Sequence, residues 1–278
     1  MATIAPPTIT TRPPAVDALR IARRRRPAPS APRLTVTVSD RWEDVEEGLS
    51  VVHDGFVEAG YMSPQPSGRR MIAQYLNPGT TFIVARMDDA PVGVMAVLPD
   101  GPFGLPSDRT FREEIDALRI DSAPLFEAGS FVVRAAWRRH TRGITANLFA
   151  AAIRVMRESR GFRVVLSVEP RQEGFYAGAI NALRVADDRP LFGAPAALLV
   201  SDYARMLDAM LTHGTNGERM LGDLVLGDPT GWCEDRRSGE PWPVARLAEL
   251  VAEQGALDPM LEQMRLLAST YPGLLAAA

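Results

Sequence analysis

The sequence predicts an α/β fold, and three observations lead to that prediction. The stretch from 125 to 176 has the order strand, glycine-containing turn, helix, strand and helix start, which is a βαβα unit. Short apolar runs typical of strands precede and follow this stretch. The chain has 278 residues, 46% of them hydrophobic, and can therefore bury a substantial core. One large domain with additions, or two small domains, is the expected organisation.

The first 33 residues are predicted to form a disordered tail. They are rich in proline, alanine and threonine, and proline at this density disfavours both helices and sheet ladders. Four consecutive arginines at 23–26 could contact nucleic acid or an acidic partner, but a short basic run in a tail usually has no specific role. Because no aromatic interleaving or recognised module accompanies them, nucleic-acid binding is not expected.

The elements between the tail and the central unit follow from apolar periodicity and turn residues. In chain order they are a strand at 34–38, a helix from 42 that stops near 60, a short helix at 69–76, a hairpin of strands at 80–86 and 92–98, a Pro- and Gly-rich loop at 99–109 and a helix at 111–119. Asp40 or Ser39 is expected to cap the first helix, and Asp108 or Thr110 the last. A long irregular segment inside a compact domain, such as 99–109, is usually functional.

A concentration of positive charge marks the central unit. From Arg134 to Arg163 there are eight arginines and one glutamate, in a chain whose formal net charge is −3. Arg138, Arg139 and Arg142 lie just before the helix predicted at 145–160, where free backbone N–H groups and the helix dipole already favour an anion. This position predicts a site for a phosphate or an acidic partner. The alternative is a solvated, arginine-rich helix face.

Beyond the central unit the sequence becomes helical and acidic. The predicted elements are a strand at 196–201, a helix at 203–212, loops at 214–239 and one or two amphipathic helices at 244–267. From Glu218 to the end there are ten acidic residues and five arginines. The predicted organisation is a tail at 1–33, a domain at 34–205 and an acidic helical extension at 206–278. The extension could cover the substrate site, mediate homodimerisation or pack as a surface hairpin.

The scarce residue types exclude several classes of protein. Cys233 is the only cysteine, so neither an internal disulfide nor a cysteine metal cluster can form. The three histidines are scattered, and no metal site is expected. No apolar run is long enough to span a bilayer, and the first 30 residues lack a secretory signal. Every basic residue is arginine. We expect a cytoplasmic bacterial protein without a transmembrane segment.

A set of short motifs carries a resemblance to a known family. In chain order they are Leu98-Pro-Asp-Gly, Gly104-Leu-Pro-Ser-Asp, Phe111-Arg-Glu-Glu, Leu118-Arg, Glu127-Ala-Gly, Val168-Glu-Pro-Arg-Gln-Glu-Gly-Phe-Tyr and Gly193-Ala-Pro-Ala. Together they resemble the long-chain N-acyl amino acid synthases, relatives of the acyl-homoserine-lactone synthases in the Gcn5-related N-acyltransferase superfamily. The resemblance covers residues 34–202. It implies the Gcn5-related acyltransferase fold, a mixed and mostly antiparallel sheet flanked by helices, here with a helical carboxyl-terminal extension.

The resemblance implies a reaction and two catalytic residues. An acyl group passes from a pantetheine thioester, usually on acyl carrier protein, to the amine of an amino acid. A base must take a proton from the ammonium. Glu127 matches the glutamate at the start of the same strand in the lactone synthases, which makes it the expected base; alternatively it pairs with Arg119 or Arg134. Tyr176 matches the superfamily tyrosine that can protonate the thiolate; alternatively it is a packed aromatic.

The resemblance also places the acyl donor. Backbone N–H groups of Phe131, Val132 and Val133 are the expected partners of the oxyanion and the pantetheine. The residues expected at the phosphates are Arg138, Arg139, Arg142, Gly143, Ile144 and Thr145. The superfamily loop reads Gln/Arg-x-x-Gly-x-Gly/Ala, and Thr145 here adds a side chain where the backbone should approach a pyrophosphate. This departure favours acyl carrier protein, an acidic partner, as the donor. No tightly bound cofactor is expected.

The acceptor site is expected to bind both charges of an amino acid. A carboxylate favours a bidentate arginine, for which Arg119, Arg134 and Arg171 are candidates. Asp100 and Asp108 are candidates for the ammonium, although either could instead cap a turn.

We therefore predict an N-acyltransferase that moves a medium-to-long acyl chain from acyl carrier protein, or from acyl-coenzyme A, to an amino acid. Two alternatives stay open: an acetyl-coenzyme A-dependent N-acetyltransferase, and a non-catalytic domain that binds acyl or pantetheine groups. A lactone synthase is a third, although the chain is longer than that family typically needs.

Overall fold

The computed structural model describes residues 32–120, 122–159, 161–213, 216–240 and 242–253. The tail predicted at 1–33 lies almost entirely outside these residues, and so does the carboxyl-terminal part of the extension. Within them the protein is an α/β structure with one large sheet and helices on both of its faces, which confirms the predicted fold class.

The sheet is mixed and mostly antiparallel. Its strands are β1 Leu34–Ser39, β2 Thr81–Met87, β3 Ala90–Pro99, β4 Leu125–Val133, β5 Arg163–Val168, β6 Leu183–Arg184, β7 Arg189–Leu191, β8 Ala194–Asp202 and β9 Cys233–Asp235. The spatial order is β6-β8-β5-β4-β3-β2-β1-β9, and β7 pairs with β8. Among the described strands, only the pairs β4–β5 and β1–β9 are parallel.

The helices cover both faces of this sheet. They are α1 Trp42–Glu58, α2 Asp108–Arg119, α3 Thr141–Arg157, α4 Glu173–Ile180, α5 Tyr203–Asp208, α6 Asn216–Leu226 and α7 Val244–Glu253. Short helical turns occur at Ala73–Leu76, Ala135–His140, Pro170–Gln172 and Ala209–His213.

Apolar stripes at helical spacing decide which face each helix covers. In α1, Val45, Leu49 and Val52 are fully buried and join a cluster with Phe82 and Leu98. The stripe of α3 packs into the cluster on the opposite face. Side chains alternate along a strand, and cross-strand partners share a face.

The same alternation places Glu127 on the face covered by α1 and α2. Its cross-strand partners are Leu98, which belongs to the α1 cluster, and Val165, which belongs to a cluster with Phe111 and Ile115 of α2. The clusters under α1 and α2 therefore lie on one face of the sheet, and α3 lies on the other.

The two central parallel strands separate after a short contact. Strands β4 and β5 pair from Leu125↔Arg163 to Glu127↔Val165 and no further. Beyond that point β4 continues beside β3 as far as Val133, and β5 continues beside β8 as far as Val168. Strand β4 also carries a bulge relative to β3, at which Ser130 has φ +52°. The strands therefore diverge and leave a cleft in the middle of the sheet.

Both predicted helix caps are corrected. Helix α1 begins after Arg41, and the Asp40 carboxylate instead accepts the N–H groups of Ser238 and Gly239, at 2.7 and 2.9 Å. Ser39 also does not cap the helix, because its hydroxyl accepts only the Arg41 N–H, at 3.1 Å.

The second helix differs in the same way. Ser107, rather than Asp108 or Thr110, is the residue that precedes α2. Its side chain makes no cap, because its hydroxyl is bonded to Glu127.

Several short elements were predicted wrongly or not at all. The helix expected at 69–76 is reduced to the single turn Ala73–Leu76. Strands β6 and β7 have two and three residues, too few for a period to show. The segment 214–239, expected to be loops, contains α6 and β9.

The described part of the predicted extension packs on the central sheet. Strand β9 continues the sheet beside β1, and α6 packs on α3. The indole of Trp242 is buried against Trp42 and Phe82, with ring centroids 5.8 and 6.3 Å away, and donates to the Asp40 carbonyl at 2.7 Å. Leu247 is fully buried in the α1 cluster. The domain boundary at 205/206 remains a prediction.

This packing predicts that α7 contributes to global stability. Leu247→Ala should lower the free energy of unfolding by about 2 to 5 kcal/mol, because it leaves a cavity in a closed apolar cluster. Urea unfolding followed by circular dichroism measures the loss. The control Leu226→Ala, at a side chain 44% exposed, should cost about 0.5 kcal/mol or less. Equal effects of the two substitutions would show that α7 is not part of the cooperative unit.

Candidate active site

The separation of β4 and β5 creates a cleft of about 670 Å³. Its walls are the end of α1, the outer half of β4, the end of β5 and the start of α4. Beyond Glu127 and Val165 the facing edges of β4 and β5 make no ladder with each other. Backbone N–H and C=O groups along such edges can bond to a ligand as another strand would. The cleft is therefore suited to an extended chain with amide groups.

Glu127 lies where the two strands part, buried beneath the cleft with 3% of its surface exposed. Its carboxylate accepts two hydrogen bonds from Ser107, one from the N–H and one from the hydroxyl, each 2.9 Å long. Burial raises the pKa of Glu127 to about 7, against the effect of the Ser107 hydrogen bonds and with a further upward contribution from the charge of Asp108. A carboxyl group with this pKa can exchange a proton near neutral pH.

Two serine hydroxyls connect Glu127 with the cleft. The Ser107 hydroxyl, which bonds to Glu127, also makes a short hydrogen bond with the Ser167 hydroxyl. Ser167 lies on β5 and lines the cleft. Neither serine was among the predicted site residues. Ser107 stands inside the Gly104-Leu-Pro-Ser-Asp motif, which was the available signal, whereas nothing in the sequence marks Ser167.

The alternative pairing of Glu127 with an arginine is wrong. The Arg119 guanidinium bonds to Asp100 and Asp108 at 2.6 to 2.8 Å and to Asp116 at 2.6 Å. Arg134 bonds to the carboxylate of Asp54 and to the carbonyl of Pro91.

The Arg119 network holds the segment that carries Ser107. Burial by itself would raise the pKa of Asp108, but hydrogen bonds from Arg119 and from the Leu105 N–H, with the positive charge of Arg119, keep it below its usual value. The hydrogen bonds that Arg119 donates to Asp100 and then to Asp108 raise the pKa of Arg119. Neither Arg119 nor Asp108 is among the residues that line the cleft. Their shared role is to fix the loop before α2.

The remaining predicted arginines are spread around the cleft. Arg138 lines it and is bonded to both carboxylate oxygens of Glu58, at 2.8 and 2.9 Å. Arg171 also lines it, close to the carboxylate of Glu169. Arg139 is exposed, and the side chain of Arg142 lies outside the described structure. The structure therefore brings Arg138 and Arg171 to the cleft but leaves Arg139 at the surface.

The start of α3 presents one unsatisfied polar group to the cleft. Thr145 is 8% exposed and lines the cleft, and its hydroxyl has no hydrogen-bond partner among the described residues. Ile144 is part of the core, and Gly143 is exposed. A buried hydroxyl without a partner costs free energy, so it is suited to a polar ligand group.

The cleft wall of β4 and the side chain of Tyr176 complete the site. Phe131, Val132 and Val133 line the cleft on β4, as Tyr176 does on α4. The Tyr176 ring is buried and packs against Phe149, with centroids 5.9 Å apart. Burial raises the pKa of Tyr176 to about 12, so its hydroxyl stays protonated at physiological pH. It can donate a hydrogen bond into the cleft.

Neither a metal site nor a spanning helix is seen in the described part of the chain. Its His, Cys, Asp and Glu side chains form no group of three able to hold a metal ion. Its helices are also too short or too polar to cross a bilayer.

Similarity to solved structures shows the fold of the protein. The chain is similar to FeeM from uncultured soil microbes, an N-acyl amino acid synthase, with a TM-score of 0.53 and 18% identity over 62% of this chain and 91% of that one. It is also similar to BjaI, a coenzyme A-dependent acyl-homoserine lactone synthase (TM-score 0.51, 17% identity, 75% and 95% covered), and to the lactone synthase LasI (0.51, 14%, 62% and 91%). The fold is that of the Gcn5-related acyltransferases, as predicted.

The family follows from the sequence match. The family model "N-acyl amino acid synthase FeeM" matches residues 47–202, more than half of the chain. The chain belongs to this family, which confirms the resemblance found in its motifs, and it is an acyltransferase. A search among curated proteins found no match.

The buried carboxyl group of Glu127 predicts a pH-dependent stability. Its pKa is raised from an ordinary 4.5 to about 7, so between these values the folded state holds a proton that the unfolded state has lost. Stability should therefore fall as pH rises through this window, by about 3 kcal/mol in total. Glu127→Gln should remove this fall. Urea unfolding at pH 5 to 8 measures it.

The control for this titration is Glu113→Gln, at an exposed glutamate of α2. Its stability profile should run parallel to that of the wild type. If the Glu127→Gln profile is also parallel to the wild type, the carboxyl group does not titrate in this range.

Proposed function

We propose that the protein transfers a medium-to-long acyl chain from a pantetheine thioester to the amine of an amino acid. The observation that carries this proposal is the buried Glu127, with a pKa of about 7, joined through Ser107 to a hydroxyl in the cleft. Amide formation from a thioester needs a base for the ammonium, since only the neutral amine is a nucleophile. Membership of the FeeM family supports the same reaction.

In this proposal the pantetheine lies between β4 and β5. At the open edge of β4, Phe131 and Val133 offer backbone N–H groups to its amides and to the oxyanion, whereas the N–H of Val132, like that of Arg134, points to β3. The Thr145 hydroxyl and Arg138 stand at the phosphate end, at the start of α3. The acyl chain needs an apolar channel, worth about 0.8 kcal/mol for each buried methylene group.

We propose acyl carrier protein as the carrier of the donor, and acyl-coenzyme A as the second candidate. The loop before α3 lacks the second small residue that a pyrophosphate requires, and the segment around it is rich in arginine. Some of this charge is neutralised within the protein, because Arg138 pairs with Glu58 and Arg134 with Asp54. The coenzyme A dependence of BjaI is the observation that favours the second candidate.

The proton of the ammonium moves along the serine hydroxyls. The ammonium donates to Ser167, Ser167 passes a proton to Ser107, and Ser107 passes one to the Glu127 carboxylate. The neutral amine then attacks the thioester carbonyl, and the C–N bond forms as the oxyanion develops at the β4 edge. Collapse of this intermediate breaks the C–S bond and releases the thiolate. After the attack the nitrogen loses a second proton, which the thiolate takes up, and Glu127 releases the first proton to solvent. The products are a neutral amide, a thiol and one released proton.

Tyr176 stabilises the leaving thiolate by donating a hydrogen bond. A free thiol has a pKa of about 8.5, more than three units below the value of about 12 for Tyr176, so full proton transfer from the phenol is uphill by about 5 kcal/mol. We therefore propose hydrogen bonding in place of the protonation first expected.

Purified full-length protein tests the proposed function. Decanoyl-acyl carrier protein and decanoyl-coenzyme A are each offered with the twenty amino acids, and products are identified by mass spectrometry. The expected product is an N-decanoyl amino acid, formed faster from the carrier-protein thioester. Turnover of acetyl-coenzyme A alone would establish an acetyltransferase. Donor binding without turnover of any amine would establish a non-catalytic domain, and a lactone product would establish a lactone synthase.

The proton path predicts two kinetic defects. Ser167→Ala and Glu127→Gln should each lower kcat by about 100-fold or more, the usual contribution of a general base. In the wild type, kcat/KM should rise with pH and level off near pH 7, and this limb should disappear in Glu127→Gln.

Stopped assays of thiol release from pH 5 to 9 measure both effects. Ser122→Ala, at an exposed serine outside the cleft lining, is the matched control and should behave as the wild type. Full activity of Ser167→Ala would eliminate the serine path.

The role of Tyr176 predicts a dependence on the leaving group. Tyr176→Phe keeps the packed ring but removes the donor, and it should lower kcat by about 10- to 100-fold, the worth of a hydrogen bond to a charged group. The defect should shrink with a thiophenol thioester, whose thiolate is stable without a donor. Comparison of kcat on both thioesters measures this. An equal defect on both would assign the loss to packing.

A further inference from the structure

Arg70 is a buried cation outside the machinery described above. It lies between α1 and the Ala73–Leu76 turn, and only 6% of its surface is exposed. Its guanidinium carbon is 4.3 Å from the ring centre of Phe56, at the end of α1, and 5.0 Å from that of Phe192, in the turn between β7 and β8. One guanidinium nitrogen donates to the Tyr75 hydroxyl at 3.2 Å. The two rings hold the guanidinium plane in place.

No carboxylate among the described residues forms an ion pair with Arg70. The adjacent Arg69 differs, because it pairs with Glu46 at 3.0 Å. A buried charge is costly unless an opposite charge and hydrogen bonds satisfy it. A guanidinium has five N–H donors, and the Tyr75 hydroxyl occupies one of the nitrogens. Arg70 therefore retains the capacity to bind an anion.

This guanidinium adjoins the cleft. Phe56 lines the cleft directly. The Tyr75 hydroxyl makes a short hydrogen bond with Ser130, which lines the cleft on β4. Ser167 lines the cleft on the other strand, β5, and its hydroxyl is connected to Glu127 through Ser107. Two chains of hydrogen bonds thus reach the cleft. One runs from the Arg70 cation through Tyr75 to Ser130 on β4, and the other runs from the Glu127 carboxyl group through Ser107 to Ser167 on β5.

We propose that Arg70 binds the carboxylate of the amino-acid acceptor while its ammonium lies at Ser167. This inference rests on the proposed acyl transfer, and it names the group that the acceptor must carry. A planar guanidinium binds a carboxylate through two parallel N–H donors, which fixes the acceptor in orientation as well as in position. The Tyr75 hydroxyl and the two aromatic rings position that guanidinium.

A carboxylate fits this place better than a donor phosphate. The phosphate end of the donor belongs at the start of α3, whose apolar stripe packs on the opposite face of the sheet from Tyr75 and Phe82. Arg70 lies on the face that also carries Glu127. The acceptor and the donor therefore approach the reacting carbon from different sides.

The test compares each amino acid with its primary amide, which keeps the amine and lacks the negative charge. With decanoyl-acyl carrier protein as donor, the wild type should favour the acid over the amide by at least about 100-fold in kcat/KM, the range expected when a buried charged partner is left unpaired. Arg70→Met should reduce this preference to less than tenfold, mainly through the KM of the acid. The KM of the donor should not change.

Two further variants separate recognition from folding. Arg69→Met removes a positive charge from the same loop and should keep the full preference for the acid. Arg70→Lys keeps a charge without the two-donor geometry and should retain an intermediate preference. A wild type that acylates acids and amides equally well would overturn the assignment even if no variant folds, and it would leave the proposed acyl transfer intact.

Binding in the absence of donor distinguishes the two proposals. Thermal shifts with glycine, phenylalanine and tyrosine, each against its amide, should show stabilisation by the acids alone, lost in Arg70→Met. If this pattern appears but no amine is acylated, the carboxylate site stands and acyl transfer is eliminated. If acids and amides stabilise equally, or Arg70→Met keeps the preference, the carboxylate site is eliminated.

Discussion

The separation of β4 from β5 is the constraint on which the rest of the site depends. The two strands share only three register pairs, and then each continues with its other neighbour. The bulge at Ser130 adds a residue to β4 and turns it away from β5. The sheet, whose strands are otherwise hydrogen-bonded to their neighbours, is therefore open between β4 and β5 in its centre. Backbone groups that a neighbouring strand would otherwise bond are left available there, between the hydrogen-bonded chain Glu127–Ser107–Ser167 on one side and the start of α3 on the other.

Burial gives the polar groups of this site their chemistry. Glu127 receives two hydrogen bonds from Ser107 but has no positive partner in the described part of the chain, and its pKa rises to about 7. Arg119, which could have neutralised it, is instead bound by three aspartates and holds the loop that carries Ser107. The protein therefore keeps the Arg119 ion pairs apart from the carboxyl group that we propose as the base. In the proposed mechanism, the charge that takes part in the reaction is therefore distinct from the charges that hold the neighbouring loop.

The sequence predicted the residues whose signal is local. Tyr176 and the strand 131–133 follow from a motif and from strand pattern, and the structure places both on the cleft. Ser107 carried only the signal of its motif, and Ser167 and Arg70 carried none, because their surroundings come from segments that are distant in the chain. Ser107 lies 20 residues from Glu127 and 60 from Ser167. The predicted arginines are visible in the sequence as charges, but the sequence does not show which carboxylates neutralise them. Arg119, Arg134 and Arg138 are each paired with aspartate or glutamate within the protein.

The sequence by itself determined the α/β class, the main helices and strands, the apolar stripe of α3 and membership of the FeeM family. These features depend on residues two to four positions apart, or on short motifs. Only the tertiary structure decided where β4 leaves β5, which serines reach Glu127, and that no carboxylate among the described residues pairs with Arg70. Those outcomes depend on strand register and burial, which bring together segments that have no local influence on one another.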